Sequence, residues 1–382
     1  MGLILKLIIG IVLGIASGLY APMPLIQLLV TFKGLFGELL FFTIPLLILF
    51  FITSGIAGLP KRSGRLLGQT LGGAYLSTIL AGTLAFSAAV VLVPILTNTV
   101  SDVFDGTDSV ISPFITMDIP PVMSIMSALV AAFIFGLGIS ATQATTLKSF
   151  FDQGRDVIEQ LLSTVIIPLL PIYIAGVFAE LATAGTVFAT LKTFGMVLAL
   201  SVALHWVWLL VLYTGIGLKI KRSPFSLIKA MLPAYVTALG TMSSAATIPV
   251  TLRSVQNNQV DPKVAGFTVP LCATTHLSGS TITIVSCAVA VMMLQEGLTV
   301  PSLIAMLPFI LTLGVVMLAA PGVPGGAVMS AVGLLGSMLG FGETAIALMI
   351  ALYMAQDSFG TACNVTGDGA IALWVNDAQQ RL

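Results

Sequence analysis

The chain has 382 residues, 57% of them hydrophobic and only 8% charged, and its 15 basic and 15 acidic residues cancel. A soluble domain cannot hide so much apolar side chain, so the bilayer is the solvent for most of the sequence. Balanced charge without a basic block excludes a nucleic-acid partner. The three cysteines, Cys272, Cys287 and Cys363, have neither disulfide-framework nor zinc-type spacing.

Apolar runs long enough to span occur at 3–20, 36–59, 69–97, 122–143, 160–181, 187–217, 264–295 and 340–375. The first, with Lys6 near its start, reads as a retained span rather than a cleaved leader. Two further apolar stretches, 225–255 and 302–337, are interrupted by small and polar residues, so each is either one span or a hairpin.

Loop charge separates these options, because Lys and Arg collect on the cytoplasmic side. Lys61, Arg62 and Arg65 follow span two, Lys148 and Arg155 span four, and Lys219, Lys221 and Arg222 span six. Asp102, Asp105, Asp108 and Asp118 follow span three, and Glu180 follows span five. The N-terminus is therefore expected inside. Stretch 225–255 lies between Lys221, Arg222 and Lys229 on one side and Arg253 and Lys263 on the other, whereas 302–337 is flanked by Glu296 and Glu343. The first is read as a re-entrant hairpin open inward, and the second as its outward mirror image.

The tip of the first hairpin is rich in hydroxyls and small residues over 240–249, and that of the second has two prolines and three glycines within 319–327. Neither continues a helix. Span seven carries a matching interruption at 274–280. Span eight holds Asp357 and Asp368 in a stretch with Gly360, Thr361, Asn364, Thr366 and Gly367. A charge at the bilayer centre costs about 2.5–3.5 kcal/mol, so these carboxylates are expected to face a binding cavity along an unwound helix. The fold class is an all-α polytopic membrane protein with eight transmembrane helices, two opposed re-entrant helical hairpins and inverted repeats.

These segments resemble the dicarboxylate/amino acid:cation symporters, the glutamate-transporter family. The most specific matches are SSAATIPVT in the first hairpin, PGVPGG in the second and NVTGD in span eight. The resemblance implies a homotrimer in the cell's inner membrane, in lipid, whose transport domain moves like an elevator against a scaffold. Residues 1–68 and 98–182 would be scaffold. Residues 69–97 and 183–382 would be the transport domain, the latter with span six, hairpin 225–255, broken helix 264–295, hairpin 302–337 and broken helix 340–375. Carried over by position, Ser243, Ser244, Ser280, Val323, Gly360, Thr361 and Asn364 belong to the substrate site, with Asp357 on the substrate ammonium. Asp368 would hold sodium with Cys272, His276 and Asn364, Thr274 would belong to a second sodium site, and Pro321, Gly322, Pro324 and Gly325 would form the gate.

Two departures narrow this expectation. Acidic-substrate members carry an arginine three residues after the aspartate, where this chain has Gly360, and Met242 replaces another arginine at the first hairpin. An acidic side chain would then be desolvated without a partner. A small neutral amino acid such as serine, threonine or alanine fits better, as in the serine/threonine branch, which also lacks that arginine. In span seven the family's usual NMDGT is replaced by His276-Leu277-Ser278-Gly279-Ser280. Ser278 in place of an aspartate implies fewer sodium ions per cycle, and His276 opens proton coupling as an alternative to Na+. A symporter of acidic substrates, a passive channel and an intramembrane hydrolase are the other readings, the last weakened by the want of a nucleophile elbow. His205, Trp206 and Trp208 read as packing or anchoring residues, and Glu38 as an interfacial group.

Overall fold

Apolar segments without water must satisfy their own backbone groups, and this chain does so with helices. The computed structural model describes residues 3–58, 64–96, 111–295, 297–318, 320 and 324–380, and every regular element among them is helical. The first part holds α1 (Leu3–Tyr20), α2 (Met23–Gly58), α3 (Gly64–Leu96), α4 (Ile125–Thr142), α5 (Thr145–Leu161), a π-helical turn (Leu162–Ile166) and α6 (Ile167–Thr183). The second holds α7 (Val187–Ile220), α8 (Pro224–Thr241), α9 (Ser244–Asn257), α10 (Pro262–Thr275), α11 (Ser278–Leu294), α12 (Leu303–Met317), α13 (Gly326–Leu339), α14 (Glu343–Met354) and α15 (Asp357–Gln380). Among the described residues six helical stretches are long and apolar enough to cross a bilayer, or seven if α14 and α15, bent by 61° at their junction, form one span.

Large apolar side chains stand exposed along the outer faces, among them Ile8 and Val12 on α1, Leu76 and Leu80 on α3, and Ile134 and Leu137 on α4. On a water-soluble chain such rows would be a liability; on helices as apolar as these, α3 and α4 among them long enough to cross a bilayer, they are the expected outer face. α11 is the opposite case, buried almost throughout and apolar on all sides, as a central helix must be. It lies against α3, α7, α14 and α15, while α15 also touches α8, α9 and α10. In the first part α1 packs along α6, and α2 is flanked by α4, α5 and α6.

The α1–α6 contact is made by backbone. Gly10, Gly14 and Gly18 share one face of α1, and a Cβ on them would strike the carbonyl oxygens of Pro171, Ala175 and Ala179 of α6 in turn. Small residues spaced by four let helices approach this closely in lipid.

The structure corrects several sequence expectations. α2 begins at Met23, not 36, and Glu180 lies within α6 rather than in an outer loop. One fact explains both: Lys33 of α2 meets Glu180 at 2.5 Å, so each charge is paired inside the helical region. At ~1.5 Å per residue α2 is roughly 54 Å long, well beyond the ~30 Å apolar core. Glu38 lies within α2, where its carboxylate accepts the Ile119 N–H at 3.0 Å and ties down the segment before α4.

The expected cytoplasmic loop carrying Lys148 and Arg155 is helix α5. Asp152 accepts from Ser54 at 2.6 Å and from Lys148 at 2.5 Å, and an added Cβ on Gly154 would strike the Phe50 ring, so α5 docks on the end of α2. Its ladder runs into α6 through the π turn, where Pro168 has no N–H for the preceding turn.

Both hairpins form. α8 reverses into α9 at Met242-Ser243, with Met242 at φ 52°, and α12 packs back on α13. Gly325 takes φ +77° as α13 begins, a conformation glycine adopts without Cβ strain. Of the second tip, Pro321, Gly322 and Val323 lie outside the described residues. Span seven breaks at His276-Leu277, as expected. Span eight does not unwind over 356–368: α15 is continuous from Asp357, and the break falls just before it, at Ala355-Gln356. Gly360 and Gly367 are instead contact residues. A Cβ on Gly367 would lie 2.7 Å from the His276 ring, and one on Gly360 3.3 Å from the Thr283 hydroxyl.

Candidate functional site

The breaks converge. α9, α11, α13 and α15 all start, and α8, α10 and α14 all end, around one pocket. Each helix start carries roughly half a positive charge and each end half a negative one, so anionic and cationic groups both find complementary backbone here. Among the described residues the lining includes Met242, Ser243 and Ser244 from the first hairpin, Leu277 and Ser280 from the start of α11, and Tyr353, Asp357, Thr361 and Asn364 from α14 and α15. Asp357 is the charged member of that lining, and no Lys, Arg or His belongs to it.

Asp357 is the first residue of α15 and is buried. One carboxylate oxygen accepts the Gly325 N–H at 2.7 Å, and the other accepts the Tyr353 hydroxyl at 2.9 Å. The carboxylate thus satisfies an amide at the start of α13 while standing at the start of its own helix. Ser243 caps α9, its hydroxyl accepting the Ala246 N–H at 3.2 Å.

α11 has no capping side chain of its own. Asn364 of α15 serves instead: its Oδ1 accepts the N–H groups of Gly279 and Ser280 at 2.7 and 3.2 Å, and its Nδ2 donates to the Ser280 hydroxyl at 3.0 Å. This approach requires Gly279, because a Cβ there would strike the Gly360 carbonyl oxygen and lie 2.6 Å from Cys363 Cβ. From the far side His205 Nε2 lies 3.0 Å from the Gly279 carbonyl oxygen and 3.1 Å from Thr283 Oγ1. A carbonyl only accepts, so Nε2 carries the proton.

Asp368 lies three turns further along α15, roughly 16 Å at ~1.5 Å per residue. Its Oδ1 is 2.9 Å from His276 Nδ1, whose Nε2 is 2.8 Å from Ser77 Oγ of α3. All three side chains are buried, and none lines the pocket. Hydroxyl, imidazole and carboxylate in one line are what a hydrolase requires, but this hydroxyl has no access to the pocket. The hydroxyls of Ser278 and Thr366 are buried without a hydrogen-bond partner among the described residues. Oxygen donors of this kind with a carboxylate suit a small hard cation. No cluster of three or more His, Cys, Asp or Glu side chains is placed to hold a metal among the described residues.

The family model described as "Sodium:dicarboxylate symporter family" matches residues 3–378. The chain belongs to that family. It is 30% identical over 251 residues to the excitatory amino acid transporter 1 of Ambystoma tigrinum, an alignment covering 64% of this chain and 45% of that protein. The chain thus spans less than half the length of the excitatory amino acid transporters it matches. It is also similar to proteins described as serine/threonine transporter SstT: 30% identical to that of Streptococcus suis over 74% of this chain and 81% of the relative, and 27% to that of Acinetobacter baumannii over 96% and 94%.

The family match and the six or seven helical stretches long and apolar enough to cross a bilayer among the described residues agree with each other. Of the residues singled out from sequence, Ser243, Ser244, Ser280, Asp357, Thr361 and Asn364 come together on the pocket. Gly360 sits behind it against α11. Thr274 is exposed at the end of α10, bonded to the Leu271 carbonyl at 3.0 Å. Cys272 is buried, and its carbonyl accepts the His276 N–H at 2.8 Å. Pro324 and Gly325 lead into α13, the latter on Asp357. Sequence reasoning missed Tyr353, Ser77 and the contact His205 makes. Tyr353 was hidden as one more aromatic residue in an apolar helix, and nothing local marked Ser77, which lies 199 positions from its partner.

Proposed function

We propose that this chain is a sodium-coupled symporter of a small neutral amino acid, with serine, threonine and alanine as first substrates. The observation that carries this reading is the pocket lining: one carboxylate, Asp357, with no cationic side chain beside it among the described residues. An ammonium belongs at Asp357, and a carboxylate at the start of α9, beside Ser243 and Ser244. A second, side-chain carboxylate would be desolvated with nothing to pair it, which disfavours acidic substrates. Similarity to proteins described as serine/threonine transporters supports the same choice.

Sodium is the proposed driving cation, supported by the family description and by the oxygen donors around Asp368. Ser278, where the family's usual NMDGT has an aspartate, supports fewer sodium ions per substrate than usual. The grouping of α1, α2, α4, α5 and α6 apart from α3 and α7–α15 suits a scaffold and an elevator-like transport domain, with Gly325 and its neighbours as the gate. A homotrimer in the cell's inner membrane, N-terminus inside, completes the reading.

The test is uptake by proteoliposomes of amino acids and dicarboxylates, with sodium and proton gradients imposed separately. Sodium-driven accumulation of serine or threonine is expected, with fewer than roughly three sodium ions counted per substrate. Accumulation of aspartate in preference to serine would overturn the substrate assignment, and uptake driven by protons alone the cation.

A further inference from the structure

Tyr353 stands in the pocket wall without an assigned role. Its phenol donates to Asp357 Oδ1 at 2.9 Å. An ionised carboxylate only accepts, so the phenol is the donor of that bond. The other Asp357 oxygen holds the Gly325 N–H at 2.7 Å. Tyr353 near the end of α14 and Gly325 at the start of α13 therefore fix the carboxylate between them.

Its position adds a second property. Tyr353 is among the largest fully buried side chains, yet it contributes to the pocket wall together with Ala327 of α13 and Asp357. It is the penultimate residue of α14, and its carbonyl accepts the Gln356 N–H at 2.8 Å where the backbone turns, so its backbone is anchored at the break. A fixed aromatic wall beside the ammonium-binding carboxylate bounds the space left for a substrate side chain.

Resting on the amino acid reading above, we propose that Tyr353 is the specificity-determining residue of the pocket. Its hydroxyl positions the Asp357 carboxylate for the substrate amine, and its ring limits the substrate side chain to a few atoms.

The test compares wild type, Tyr353→Phe and Tyr353→Ala, each full length in proteoliposomes, by serine uptake and by competition from alanine, threonine, leucine, phenylalanine and aspartate. Tyr353→Phe keeps the wall and loses the positioning bond. It should raise the KM for serine about tenfold with the maximal rate retained, leaving the order of competitors unchanged. Tyr353→Ala should turn leucine and phenylalanine into competitors. If Tyr353→Ala does not yield folded protein, Tyr353→Phe decides alone: a serine KM within twofold of wild type overturns the proposal. A folded Tyr353→Ala that keeps the wild-type order of competitors overturns the wall. A wild type inhibited by aspartate but by none of the neutral amino acids sinks the function reading instead, and one that responds to nothing in the panel sinks both.

Discussion

Replacing Asp357 with asparagine removes one charge and almost no volume. The carboxamide oxygen still accepts from either Gly325 or Tyr353, and the Tyr353 hydroxyl can turn to accept from the amide, so the fold loses at most about one hydrogen bond, on the order of 1 kcal/mol. The substrate loses far more. Breaking a buried, hydrogen-bonded charge pair costs about 3–5 kcal/mol, which is roughly 140- to 3,700-fold in affinity. Titration of purified protein with serine under saturating sodium measures that loss, and a thermal melt of the same sample measures the fold. The expected outcome is a collapse of serine affinity with a melting midpoint close to wild type. Serine affinity within threefold of wild type would refute the ammonium assignment. So would an equal loss for serine and for lactate, which has no amine.

Gly14→Val should lower the melting midpoint by several degrees, because overpacking costs about 1–3 kcal/mol where the added atoms meet the α6 backbone, while Gly34→Ala, with open space beside it, should be neutral. An unchanged midpoint for Gly14→Val would disprove the backbone contact. Lys33→Gln strands Glu180 in a half-buried site, so it should destabilise by about 1–3 kcal/mol, and adding Glu180→Gln should recover most of the loss; a double variant worse than the single would contradict the pairing. Gly360→Ala should lower the melting midpoint slightly, since its Cβ would lie 3.3 Å from Thr283 Oγ1 and make that side chain give; a midpoint above wild type would refute the tight contact.

The helical breaks were legible because Pro, Gly and hydroxyl residues cluster where a backbone cannot stay helical, and both hairpins and the span-seven interruption lie where those residues stand. Span eight misled for a related reason. Gly360 and Gly367 have the chemistry of an unwound segment, but α15 needs them to admit α11 and the His276 ring. Glycine's freedom and glycine's smallness leave the same letter in a sequence. Lys33, Glu180, Lys148 and Arg155 misled because a charge normally marks the end of a span, and only the folded chain brings Lys33 to Glu180 or seats Asp152 on Ser54. The Gly10, Gly14 and Gly18 spacing was visible in the first span, though its partner helix was not. Asp357 and Asn364 announced themselves as polar groups in a membrane. Tyr353 did not, because an aromatic residue in an apolar helix has an ordinary explanation.

Four helices start and three end at one pocket, and elsewhere in the bilayer each such end would be an unmet obligation. Some are discharged by neighbours: Asn364 serves α11, Asp357 serves Gly325, and Ser243 serves its own helix. A ligand in the pocket would face the same helix ends, so on the symporter reading proposed above the substrate acts as a missing piece of secondary structure, and loading it resembles the last step of folding more than the occupation of a finished cup. A symporter built this way would be expected to hold its core together best when full, so that the loaded form is the one rigid enough to carry across the bilayer.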